Sequence, residues 1–157
     1  MRIIFVCTAN ICRSVMAEGI LKKLLSTRPK AHHIEIQSFG IDVLVGLTPD
    51  RNSREICLAH DIDIGSHTAQ QLTKETLKKS DFIFCMEKEQ KQLILSAYPE
   101  FVGKTFLLKE YQAYVRFDEI SIKDPTGRSK RHYKACFNEI EREIQRIADL
   151  IITTETK

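Results

Sequence analysis

The opening segment, Arg2-Ile-Ile-Phe-Val-Cys7-Thr-Ala-Asn10-Ile-Cys12-Arg13-Ser14, constrains the fold more than any other stretch of the chain. An apolar run ends at Cys7, and a short polar turn leads straight into a helical pattern from Val15 to Leu25. Strand-to-helix turns of this kind direct successive amides inward ahead of an electropositive helix start, so they bind anions. Cys7 and Arg13 set a thiol and a guanidinium in that field, which favours a thiolate able to attack phosphorus. Arg13 can grip two oxygens in a planar fork. Ser14 can donate to the sulfur. Asn10 is a residue type that tolerates the left-handed conformation needed to turn an amide inward. Taken alone, Cys7 reads first as a small buried hydrophobe at a strand end, and it is the strand before it and the helix after it that favour the nucleophile.

The rest of the chain repeats the same alternation. Apolar runs at Ile3–Val6, Ile34–Gln37, Phe82–Cys85 and Thr105–Leu108 read as strands. Met16, Ile20, Leu21, Leu24 and Leu25 form one apolar helix face. Thr48-Pro49 reads as a cap followed by proline at the first position of a helix reaching about His60. Thr73–Lys79 and Lys88–Ala97 read as further helices, the second stopped by Tyr98-Pro99. Phe137, Ile140, Ile144, Ile147, Ala148 and Ile151 stripe a long terminal helix. Strands alternating with helices predict an α/β, three-layer fold with a parallel sheet, right-handed crossovers and helices on both faces. Ligands of such folds bind beyond the carboxyl ends of the strands, where Cys7 falls.

A chain of 157 residues is expected to form a single domain, 1–157. Its formal charge of +3 suits an anionic substrate and does not indicate a nucleic-acid binder. No run reaches membrane-spanning length, and the first apolar run lacks a cleavage pattern. An odd number of cysteines, five, points to a reducing, cytoplasmic setting. No C-x2-C pair suggests zinc, and no metal or cofactor is expected.

Cys-Thr-Ala-Asn-Ile-Cys-Arg-Ser followed by Met16-Ala-Glu18 resembles the signature of low-molecular-weight protein tyrosine phosphatases. His67-Thr-Ala-Gln-Gln-Leu-Thr73, Asp81-Phe-Ile-Phe-Cys-Met86 and Asp124-Pro125 resemble later family motifs in the family's order. The resemblance covers nearly the whole chain and implies a four-stranded sheet in the order 2-1-3-4. It makes Cys7 the nucleophile of a phosphocysteine intermediate and Asp124 the general acid and base. Arg13 and the loop from Thr8 through Ala9, Asn10, Ile11 and Cys12 to Ser14 then hold the phosphoryl oxygens. It gives Asn10, Ser14, Ser38 and His67 a supporting network, and Cys12 a reversible disulfide with Cys7. Read without it, Asp124-Pro125 is a turn start, Ser38 and His67 are ordinary polar residues, and Cys12 fills the underside of the loop. Cys57, Cys85 and Cys136 fall at core positions. The implied partners are a phosphorylated protein or peptide, a bacterial tyrosine kinase among them, with phosphate or other oxyanions as product or inhibitor.

Departures from the family concern specificity. Val15 replaces a usual proline, and Glu87 stands where many members have aspartate. Thr126-Gly127 follows Asp124-Pro125 where many eukaryotic members carry two tyrosines, so the pocket wall falls to Ile11, Leu44 and Thr126. Phe39 or Tyr133 is then expected to supply an aromatic contact. Lys104–Tyr111 and the spacing after Asp124 resemble bacterial protein-arginine phosphatases, whose loop carries threonine in place of Ile11. Arsenate reductases of this fold need a cysteine relay after the third strand that is lacking here. A phosphate-binding pseudophosphatase would lack Cys7, Arg13 or Asp124. Arg128, Lys130, Arg131 and His132 have no interleaved aromatic platform for a nucleic acid. Beside Asp124 they suit acidic phosphopeptides or phosphorylated tails.

Overall fold

The structure, a computed structural model, describes residues 1–28, 31 and 33–155. Strands β1 (Arg2–Cys7), β2 (Glu35–Gly40), β3 (Phe82–Cys85) and β4 (Thr105–Leu107) form one parallel sheet in the order β2-β1-β3-β4. Helices α1 (Arg13–Ser26), α2 (Arg51–Leu58), α3 (Lys74–Lys79), α4 (Lys88–Ala97) and α5 (Lys130–Glu155) cover it.

The alternation along β1 decides what each face buries. Ile3, Phe5 and Cys7 join the core formed with the apolar stripes of α1 and α5, while Ile4 and Val6 join Leu77 of α3 and Ile94 of α4 on the other face. A parallel sheet covered on both sides needs such an uninterrupted apolar strand, and Ile3 to Val6 are fully buried. The α5 stripe from Phe137 to Ile151 is buried as its spacing predicts. Cys57, Cys85 and Cys136 are free, buried thiols.

Three differences from the expected boundaries bear on the site. β2 runs on through Ser38, Phe39 and Gly40, because pairing of β1 with β2 continues to Cys7 opposite Gly40. α1 starts at Arg13, ahead of its first apolar residue. The cap of α2 is Asp50 and not Thr48: the Asp50 carboxylate accepts from the Ser53 amide at 3.0 Å, which leaves Pro49 outside the helix. Two aromatic expectations also fail. Phe39 is buried in the α3–α4 core, and Tyr133, in the first turn of α5, is buried in the core on the other face, so neither presents an exposed ring to a pocket.

Candidate active site

The loop between β1 and α1 is anchored through its carbonyls. Cys7 O accepts from Ile41 N at 3.1 Å, Thr8 O from Asp42 N at 3.0 Å, Ile11 O from Asp50 N at 3.0 Å and Cys12 O from Met16 N at 2.9 Å. Among the described hydrogen bonds, none uses an amide from Thr8 to Arg13 as donor. Asn10 takes the left-handed conformation at φ 56°. With these four carbonyls held and its amides unspent, the loop has the donor surplus of an anion cradle. Thr8 is exposed, Ala9 and Ile11 are half-buried, and Cys12 lies beneath the loop. Leu44 and Thr126, the other expected wall residues, are exposed.

Cys7 Sγ lies 3.0 Å from Ser14 Oγ. The network behind this pair leaves the Ser14 proton free to be donated to the sulfur. Asn10 Nδ2 donates to Ser14 Oγ and to Ser38 Oγ, each at 2.9 Å. Asn10 Oδ1 accepts from Gln70 N at 2.9 Å and faces His67 Nε2 at 3.1 Å. Every polar valence of the Asn10 side chain is therefore used. Ser14, already accepting from Asn10, is left with its own proton to donate to Cys7 Sγ. Ser38 passes its proton outward to Glu18 Oε2 at 2.6 Å. Glu18 also lies 3.9 Å from His67 Nδ1. The predicted supporting residues thus do converge. Burial lowers the His67 pKa and Glu18 raises it; the net direction is down. A neutral ring that donates through Nε2 fits the Asn10 carbonyl.

Arg13 is almost wholly buried, yet it reaches three partners far along the chain. Nη1 donates to Ile122 O at 2.9 Å and pairs with Glu87 Oε2 at 2.9 Å. Nη2 donates to Asp124 Oδ2 at 2.8 Å. Burial by itself lowers the guanidinium pKa, but the neighbouring Cys7, Asp124 and Glu87 outweigh it and raise the net value. Burial pushes the Asp124 carboxyl up; hydrogen bonds from the Thr126 amide and hydroxyl, together with Arg13, outweigh it and hold the carboxyl low. Burial also pushes the Cys12 and Cys136 thiols up, Cys136 to about 12, which keeps both protonated at neutral pH.

Glu18 and Gln90 are the site residues the sequence reading left without a role. Glu18 stands four residues after Ser14 on α1, so helical spacing was the available signal. Gln90 accepts from the Glu87 amide at 3.0 Å and donates to Thr8 Oγ1 at 3.2 Å, tying α4 to the loop. No local pattern announces that contact across 82 residues.

A parallel α/β sheet that carries a cysteine–arginine loop at the end of its first strand defines a class, and the comparisons place the chain within it. Residues 2–156 match the family described as low molecular weight phosphotyrosine protein phosphatase. The chain is 34% identical over 140 residues to the probable low molecular weight protein-tyrosine-phosphatase EpsP of Ralstonia nicotianae, covering 89% of this chain and 88% of that one. It is 30% identical to the protein-arginine-phosphatase of Geobacillus stearothermophilus, covering 98% of each. A solved Cys-to-Ser mutant of the YwlE arginine phosphatase, with its active-site serine phosphorylated, superposes with a TM-score of 0.88 at 28% identity, covering 96% of this chain and 95% of that one. This chain belongs to the low-molecular-weight protein tyrosine phosphatase family and is an enzyme of that family.

Proposed function

We propose that this protein hydrolyses phosphotyrosine in proteins through a phosphocysteine intermediate. Phosphoryl transfer needs an in-line nucleophile, charge stabilisation on the equatorial oxygens and a proton for the leaving group. Cys7 attacks phosphorus and the tyrosine oxygen leaves, taking its proton from Asp124. Asp124 then accepts a proton from water, which displaces the sulfur and releases inorganic phosphate. Loop amides and Arg13 hold the oxygens through both steps. The phosphorylated serine reported for the YwlE mutant supports a covalent step of this kind.

The ion pair between Arg13 and Asp124 orders these events. An acid must hold a proton, and at rest the Thr126 hydrogen bonds together with Arg13 hold the Asp124 carboxyl below its ordinary value. A bound phosphoryl group engages Arg13 and releases Asp124 to take up a proton. Glu87 stays on Nη1 and keeps the buried guanidinium oriented. Cys12 is the resolving thiol of Cys7, and its burial as a free thiol under the same loop supports that role. The partners are phosphorylated proteins, tyrosine kinases among them, in the cytoplasm. Among the described residues no helix is long and apolar enough to cross a membrane.

The observation that carries phosphotyrosine over phosphoarginine is Ile11. An apolar side chain in the loop packs against an aromatic ring and offers nothing to a guanidinium, whose donors would be left unpaired. The second reading, arginine phosphatase, is favoured by the likeness to the Geobacillus enzyme and by Thr126-Gly127. Matched phosphotyrosine and phosphoarginine peptides decide between them, with Cys7→Ser as the blank. Phosphotyrosine is expected to be the better substrate, and Ile11→Thr to narrow the gap. A preference for phosphoarginine would overturn the reading.

A further inference from the structure

A cleft of about 610 Å³ adjoins the acid loop, between residues 118–125 and the first turns of α5. Most of its charges are already matched. Glu87 and Asp124 pair with Arg13, Glu139 with Lys109, and Asp118 with Arg116. Lys123 and Arg128 also line it, and both are exposed. Among the described residues neither side chain has an ion pair or hydrogen bond, and the only carboxylate of the cleft left in that state is Glu119. Lys123 and Arg128 are thus the unpartnered cations of the cleft, set against the unpartnered Glu119 and one excess negative charge where the single guanidinium of Arg13 meets both Glu87 and Asp124. His132 Nδ1 is engaged by Ser129 Oγ at 2.9 Å, which leaves Nε2 for a ligand.

Folding does not account for these cations. Between Asp124 and Glu139 the chain holds Arg128, Lys130, Arg131, His132 and Lys134 and no acidic residue. The first turns of α3 and α4 carry Glu75 and Glu89, as the helix dipole favours, whereas those of α1, α2 and α5 have no acid. Lys130 is tied to Glu55 on α2, which removes it from the surface the basic run was expected to form.

We infer that this cleft receives the substrate chain beside its phosphorylated residue, with Lys123 and Arg128 reading a flanking carboxylate side chain. The inference rests on the phosphoprotein reading above. The cleft shares Asp124 with the phosphate site, so a peptide whose phosphate lies on the loop reaches Lys123 and Arg128 within a few residues. Aspartate or glutamate there satisfies two exposed cations, while a basic flank meets them as like charges.

The test compares phosphotyrosine peptides with acidic, neutral and basic flanks against para-nitrophenyl phosphate, which has no chain. The wild-type protein is expected to favour the acidic over the neutral peptide by about tenfold, mainly in KM. Lys123→Ser/Arg128→Ser is expected to reduce that preference to about twofold and to leave para-nitrophenyl phosphate turnover unchanged. Lys74→Ser/Lys79→Ser on α3 removes the same charge elsewhere and is expected to keep the preference. Equal rates on acidic and neutral peptides would overturn the inference, as would a preference that survives the first double variant or vanishes in the second. Any of these leaves Cys7-dependent turnover intact. Absence of that turnover on every substrate, para-nitrophenyl phosphate included, would instead overturn the phosphatase reading and the inference with it.

Discussion

Asn10 holds together a site in which each neighbour has one job. It donates twice, accepts twice and sits at φ 56°, so it fixes the loop conformation and also leaves the Ser14 proton free for Cys7 Sγ. The two roles can be separated. Asn10→Ala strands the Gln70 amide and forces a Cβ residue without polar atoms into the left-handed region. The expected loss of stability is about 3 kcal/mol, read by urea unfolding. Asn10→Asp keeps the acceptor for Gln70 but turns both donors into acceptors. The Ser14 hydroxyl then rotates to donate to the new carboxylate and no longer serves Cys7 Sγ. Turnover is expected to fall at least about tenfold with a smaller loss of stability than in Asn10→Ala. Wild-type kcat in Asn10→Asp would show that Ser14 does not donate to the sulfur.

At the scale of elements, the site depends on how closely β2 approaches the loop that follows β1. Gly40 lies opposite Cys7 in the sheet, and a Cβ built there would stand 2.6 Å from Thr8 O and 3.0 Å from Asn10 N. Neither is a side chain that can move aside. Gly40→Ala is therefore expected to displace the loop, costing about 1–3 kcal/mol in stability and more than tenfold in kcat/KM. Unchanged kcat/KM would mean the loop tolerates the shift. Much of this level was legible in the sequence. Ile3–Val6 and Phe82–Cys85 are apolar runs with polar ends, and α5 has an unbroken stripe, so burial alone marks them. β2 was read short because Ser38 and Gly40 are not strand formers; the sheet keeps them because Ser38 carries the Asn10 network and Gly40 clears the loop. The start of α2 was misplaced because Thr48-Pro49 and Asp50 are both plausible caps, and only the Ser53 amide decides between them. Cys7, Arg13, Asn10 and Ser14 share one turn and could be read together. Glu87, Gln90 and Glu18 could not, since their roles exist only once distant segments meet.

Across the whole molecule, Arg13 is where those segments meet. It joins the start of α1 to Glu87 at the start of α4 and to the Ile122–Asp124 segment ahead of α5, so three stretches of chain stay in register through one buried guanidinium. Removing a partner should therefore be felt as stability, and the pH dependence should identify which partner. Burial favours the neutral form of Asp124, but the Thr126 hydrogen bonds and Arg13 prevail and depress its pKa in the folded protein. A depressed carboxyl stabilises the fold fully above its unfolded pKa, about 3.9, and that contribution is lost as pH falls through the lower folded value. Since the Asp124 side chain is 42% exposed, solvent screening keeps the contribution below about 1 kcal/mol. Asp124→Asn retains the shape and removes only the charge. It is expected to melt slightly below the wild type at pH 6, with the gap closing as pH falls below about 4, because the wild-type carboxylate is then being neutralised. Thermal melts of both proteins at pH 6 and pH 3 check this. A gap of the same size at both pH values would mean that the charge on Asp124 is not what couples it to Arg13, and the proposed release of the acid by a bound phosphoryl group would lose its electrostatic basis.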